Sequence, residues 1–271
     1  MNKDSLGEKT ENQSIRNEAD SVTYDSARSE EIVRLLEKAS KLLHGTISGG
    51  VPDLDGAIDC YMQAVAAGSV DAMIALGNLY EEKEDFENTY YWYHEAAVAG
   101  SHAGMFNVAW MYHAGCYVEQ DYEKAKTYFR QLYSHNIKLA AFYMGLYAEQ
   151  GYGGPVDYPS AVRYYTEGMK QGDPLCANNL GVMYCQGRGV KKDIAKGFQL
   201  FHDAYNKCKP GNACSDLCAN LAQCYEKGYG TDKDLRHALA LYRKGSEQGC
   251  KECDDKIKEV ETQIAGMEAR S

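Results

Sequence analysis

The 271-residue chain carries 29 Lys and Arg against 39 Asp and Glu, a formal charge of -10, and such a surface repels phosphate backbones and anionic headgroups. Nucleic acid and membrane surfaces are therefore excluded as expected partners. A hydrophobic content of 44% supports a packed core, but no apolar run approaches the roughly 18 residues of a membrane span.

The N-terminus, MNKDSLGEKTENQSIRNEAD, has no apolar core of a secretory signal, so the expectation is a cytoplasmic protein without membrane insertion. Residues 1–28 are mostly Ser, Asn, Glu and Lys. They cannot bury enough apolar surface to offset the entropy of ordering, and a disordered tail is predicted there. From Glu30 onward Ile32, Leu35, Leu36, Ala39, Leu42 and Leu43 fall at helical spacing, and the helix stops at Gly45. A loop over Gly49-Gly50-Val51-Pro52 leads to a second helix through Ala57, Tyr61, Ala64 and Val65, ending at Gly68.

That second helix sets a repeat. Its aromatic slot is filled by Tyr61, Tyr93, Phe129, Tyr165, Phe201 and Tyr242, mostly 36 residues apart. Four residues earlier stand the small side chains Ala57, Thr89, Ala125, Ala161, Gly197 and Ala238. Seven residues later come Gly68, Gly100, Asn136, Gly172, Cys208 and Gly249. Gly and Asn suit a left-handed helix end there, and Cys208 breaks the pattern. The first helix of each unit repeats a large apolar residue followed by a small one: Leu76-Gly77, Val108-Ala109, Met144-Gly145, Leu180-Gly181 and Leu221-Ala222. Three residues after the small one come Tyr80, Tyr112, Ala148, Tyr184 and Tyr225, so that a small residue admits the paired helix and an aromatic fills the space beyond it. A helix–turn–helix unit of this period means a solenoid. The second unit lacks the Gly-x-Gly loop, and the stretch KPGNACSD is an insertion. The C-terminal segment 254–271 carries Ile257, Val260, Ile264 and Met267 along one stripe and is predicted to be a capping helix.

Asn179-Leu-Gly-Val-Met-Tyr184 with Gly187-Arg-Gly-Val190 and Asp193, and Tyr225-Glu-Lys-Gly-Tyr-Gly230 with Ala238 and Tyr242, resemble the Sel-one-like repeat, a branch of the tetratricopeptide-like α-solenoids. The resemblance covers roughly residues 51–253. It implies an all-α fold, a right-handed superhelical solenoid of about six helix pairs over 29–253. It also implies an adaptor that binds a protein or peptide on the concave face and performs no chemistry. In such a fold the first helices line that face, so the positions two before and two after the large apolar slot point into the groove. These include Phe106 and Trp110, then Phe142 and Leu146, with Asn78, Asn178, Gln223 and, one turn on, Glu81, His113, Glu149, Gln186 and Glu226 as a polar, acidic rim. An apolar centre inside a polar rim is the usual anatomy of a binding patch.

Six of the ten cysteines crowd the stretch 208–253: Cys208, Cys214, Cys218, Cys224, Cys250 and Cys253. A zinc site, disulfides and reduced thiols all remain open, with reduced thiols the default for a cytoplasmic chain. A thiol- or metal-dependent module built on this cluster is the alternative function. No enzyme is expected. The chain has neither Ser-x-x-Lys nor Gly-x-Ser-x-Gly, its seven histidines lack metal-ligand spacing, and its Gly-x-Gly runs recur at the repeat period as turns. No cofactor is implied.

Overall fold

The computed structural model describes residues 26–47, 49–208 and 215–269. The predicted tail lies outside them except for residues 26–28, which already belong to a helix; most of the predicted insertion also lies outside. The chain is all-α, with no strand among the described residues. Helix α1 spans 26–43. It is followed by α2 (Leu54–Ala66), α3 (Val70–Glu82), α4 (Phe86–Val98), α5 (His102–Ala114), α6 (Tyr122–Ser134) and α7 (Lys138–Gln150). Then come α8 (Tyr158–Lys170), α9 (Pro174–Gln186), α10 (Ile194–Lys207), α11 (Ser215–Lys227), α12 (Leu235–Glu247) and α13 (Lys251–Glu268). Among the described residues these thirteen helices, nearly all about 13 residues long, follow one another through short turns.

Local chemistry explains why each helix starts and stops. Every second helix of a pair opens on an aspartate: Asp53, Asp85, Asp121, Asp157, Asp193 and Asp234. Each carboxylate accepts the backbone N–H three residues on, at 2.9 Å from Lys124 and from Lys196, so the exposed donors of the first turn are satisfied. The same helices end on a left-handed residue. Gly68, Gly100, Gly172 and Gly249 have φ of 93, 89, 79 and 89°, and Asn136 takes the same slot at 57°. Cys208 is extended there, at φ -70° and ψ 123°, as its side chain requires.

Two compact units divide the chain, one up to Gln120 and one from Asp121. In the first, Leu35, Ala39 and Leu42 of α1 pack with Ala57, Tyr61 and Ala64 of α2, Leu76 and Leu79 of α3 and Trp92 of α4. Arg28 also donates to the carbonyl of Ala67, satisfying the end of α2. In the second unit each helix packs on the next from α6 to α13. The small residue before the aromatic slot has a steric reason. A Cβ on Gly77 would stand 2.4 Å from the Tyr93 ring, and one on Gly145 would stand 2.4 Å from the Tyr165 ring. Glycine there lets the ring lie flat on the backbone of the partner helix.

The terminal helix begins three residues earlier than predicted, with Cys250 as its N-cap. Cys253 and Val260 are fully buried, and Ile257 and Ile264 pack on the same cluster with Leu235, Leu241 and Tyr242. Met267, predicted to share that stripe, is 61% exposed. No described helix is long and apolar enough to cross a membrane.

Candidate functional site

The residues expected to line the wall divide between the two units, and each unit presents its own set. In the first, α3 contributes Asn78 and Glu81, and α5 contributes Phe106, Trp110 and His113. The buried side of α5 is made by Gly104, Val108, Ala109 and Met111. Trp110 is left 45% exposed with its indole stacked on the His113 imidazole, ring centroids 5.3 Å apart. Burial pushes the His113 pKa below its ordinary 6.5, so the ring is neutral at pH 7. Phe106 is half-buried.

Beside them lies a hydrogen-bonded carboxylate. The Tyr93 hydroxyl donates to Asn78 Oδ1 at 2.6 Å and lies 3.1 Å from Glu81 Oε2, while the Tyr117 hydroxyl reaches Glu81 Oε1 at 3.4 Å. Burial and then the Glu81 charge raise the Tyr93 pKa well above its ordinary value, which keeps this hydroxyl a donor. Tyr117 in turn stacks on Phe86 with centroids 4.2 Å apart. Both rings are partly exposed, and neither was anticipated from the sequence. The signal was present in the third unit, where Gly115-Cys116-Tyr117 replaces the Gly-x-Gly of the three units that follow. Tyr117 adopts φ 68°, the left-handed conformation held elsewhere by Gly153, Gly189 and Gly230. A tyrosine kept at such a φ stores strain that its neighbours must offset.

In the second unit, Phe142 and Leu146 of α7 are half-buried. Phe142 packs edge-on against Tyr143 at 5.3 Å and belongs to the cluster around Tyr165, Leu180 and Met183. It is therefore more core than wall. Asn178, expected on the polar rim, is only 6% exposed. Its Oδ1 accepts from Asn220 Nδ2 at 2.9 Å, bridging α9 to α11. A buried amide must find partners, and this one finds them inside the protein. Gln223 is exposed and helps line a cleft of about 410 Å³ with Val182, Gln186, Asn220 and Tyr229. The rim carboxylates of this unit are also engaged. Glu149 accepts from the Tyr165 hydroxyl at 2.9 Å and pairs with Arg188 at 3.6 Å. Glu226 is buried, accepting from Tyr242 at 2.9 Å and from Lys227.

The cysteines resolve into distinct environments. Cys208 is disulfide-bonded, whereas Cys60, Cys116, Cys176, Cys185, Cys218, Cys224, Cys250 and Cys253 are free. Burial raises the pKa of Cys176, and that of Cys224 up to about 12, so these are unreactive core thiols. Among the described residues no three His, Cys, Asp or Glu side chains are grouped to hold a metal ion.

With this geometry in view, the comparisons with known proteins fall into place. The Sel1 repeat model matches five times, over residues 70–101, 102–136, 138–173, 174–207 and 215–250. The junctions between matches fall in the turns between helix pairs. A protective antigen of uropathogenic Escherichia coli displaying an SLR fold superposes with a TM-score of 0.73 and 25% identity, covering 89% of this chain and 51% of that one. A Sel1 repeat protein from Oxalobacter formigenes gives 0.65 at 27% identity, covering 78% and 84%. Among curated proteins, the ERAD-associated E3 ubiquitin-protein ligase component HRD3 of Candida glabrata is 32% identical over 83 residues, 31% of this chain. The match spans a tenth of that relative's length.

Proposed function

Because the chain belongs to the Sel1 repeat family, we propose that it is a non-catalytic adaptor that docks a peptide or helix of another protein against the α3–α5 wall. The observation that carries this reading is Trp110. It sits on a helix whose buried side is Gly104, Val108, Ala109 and Met111, and it holds a large aromatic surface in solvent above a neutral imidazole. Exposed tryptophans with a polar surround are the residues that dominate binding energy at protein interfaces. The anchoring residue of the partner is apolar, and Asn78 and His113 set its orientation; the second unit presents its own candidate contacts at Leu146 and Gln223. The family resemblance to a component of an E3 ubiquitin-protein ligase, a protein named as part of an assembly, supports the same class of role. A cytoplasmic setting is part of the same reading: eight cysteines are free among the described residues, although Cys208 is disulfide-bonded.

The test is affinity capture with tagged wild type and Trp110→Asp, followed by titration of each recovered partner against both proteins. Trp110 is outside the core, so circular dichroism of the variant should match wild type. The expected result is at least a roughly tenfold loss of affinity for a direct partner, consistent with removal of an interface hot spot. Unchanged affinity for every direct partner would move the binding surface away from α5.

A further inference from the structure

We propose that Cys250 and Cys253 form a redox-active dithiol that closes to an intramolecular disulfide by exchange with a small-molecule disulfide. The proposal is independent of the binding wall. Cys250 is the N-cap of α13, and its Sγ accepts the backbone N–H of Cys253 at 3.3 Å. The same N–H lies 3.1 Å from the Cys250 carbonyl, so the two residues are wound into one helical turn. Positions so related stand at about the 5–6 Å Cα separation that disulfides favour.

Exposure gives the two sulfurs different tasks. Cys250 is partly exposed, whereas Cys253 and Cys218 are fully buried. The Cys253 sulfur fills the notch above Gly245: a Cβ there would be 2.7 Å from it and 3.3 Å from the Cβ of Cys218. Three cysteines therefore converge under the first turn of α13, and Cys250 is the member of this group that a solute can reach. Burial, then the contact with Cys250, raise the pKa of Cys253, which marks it as the thiol that reacts second.

The chemistry balances without a bound cofactor. The Cys250 thiolate attacks one sulfur of the small disulfide RSSR, forming a mixed disulfide and releasing RS⁻. That thiolate takes up the proton of Cys253, whose sulfur then attacks Cys250 and expels the second RS⁻, which is protonated from solvent. Two protein thiols are oxidised and one RSSR is reduced to two RSH. Closure ties the N-cap of α13 covalently to its first turn.

Incubation of the full chain with glutathione disulfide, followed by alkylation and tryptic mapping, tests this directly. Lys251 lies between the two cysteines, so a Cys250–Cys253 bond appears as Gly245–Lys251 cross-linked to Glu252–Lys256. That cross-link is the expected product in wild type. Cys250→Ser should slow loss of the Cys253 thiol by roughly tenfold or more, since a buried thiol reacts poorly by itself. Cys253→Ala should leave Cys250 as a stable mixed disulfide with glutathione. A cross-link of Cys253 to Cys218, a lasting mixed disulfide at Cys250 in wild type, or an unreactive Cys250 would each overturn the proposal. If Cys253→Ala fails to fold, wild-type mapping and Cys250→Ser still decide it.

Discussion

A tyrosine in the aromatic slot brings a hydroxyl into a helix interface, and a buried hydroxyl needs an acceptor. Each slot tyrosine of α4, α8 and α12 has one: Tyr93 uses Asn78 and Glu81, Tyr165 uses Glu149, and Tyr242 uses Glu226. Where the slot is Phe129 or Phe201, the register of the repeat puts His113 or Cys185 at the acceptor position instead. Both series of residues were legible in the sequence. Their pairing was not, because the partners lie 12 to 16 residues apart on different helices and meet only once the pair has folded. Read along one helix, Glu149 and Glu226 looked like a solvent-facing rim. Tyr242→Phe should therefore cost about 1.5–3 kcal/mol in urea unfolding, the loss of a hydrogen bond to a charged group. The pH dependence follows from Glu226. Burial by itself would raise its pKa, but the hydrogen bonds from Lys227 and Tyr242 and the nearby lysine charges outweigh it and hold the pKa below the ordinary carboxylate value. A depressed folded-state pKa contributes stability that is complete above the unfolded value of about 4.3 and is lost as pH falls through the folded value. Glu226→Gln should accordingly flatten the acid side of the stability profile; an unchanged acid limb would mean that this carboxylate is not linked to folding.

Among elements, the second helices are the regular part of the repeat because they start and stop on side chains that chemistry restricts. An aspartate at the N-cap and a left-handed residue past the C-terminus recur where the sequence showed an acidic residue and a Gly or Asn. The first helices begin less uniformly: Ser69 and Ser101 cap α3 and α5, Asp173 caps α9, and α7 starts on Ile137 with no side-chain cap. Asp193→Ala should destabilise the second unit by about 1 kcal/mol, seen as a lower urea midpoint at unchanged slope. Asp193→Asn, which keeps a capping oxygen, should recover most of it. If both variants lose the same stability, the charge rather than the cap is what matters there. Tyr117 escaped sequence reading for a related reason. Tyrosine stands where other units carry the second glycine of Gly-x-Gly, yet the backbone keeps its left-handed turn and gives the ring a place on Phe86.

At the scale of the molecule, stability is built from contacts between neighbouring helices, so each segment matters chiefly to the one beside it. The terminal helix α13 shows the consequence. Cys253 and Val260 are fully buried, and with Ile257 and Ile264 they cover a cluster that includes Leu221, Leu235, Leu241 and Tyr242. Stripping residues 251–271 uncovers that cluster, removing on the order of 5 kcal/mol of apolar burial. In hydrogen exchange, the truncated chain should lose protection throughout α11 and α12, while α2 to α4, with their own core, keep theirs. Circular dichroism should fall by more than the helix removed, because α12 frays once Val260 no longer packs on it. A uniform fall in protection, reaching α2 to α4, would show that the chain unfolds as one cooperative body and that its stability is not a sum over neighbours. Protection retained in α12 would instead mean that α11 and α12 support each other without the cap. The exposed face left by Leu235 and Leu241 would then have to be covered by association, which a concentration-dependent sedimentation measurement would reveal.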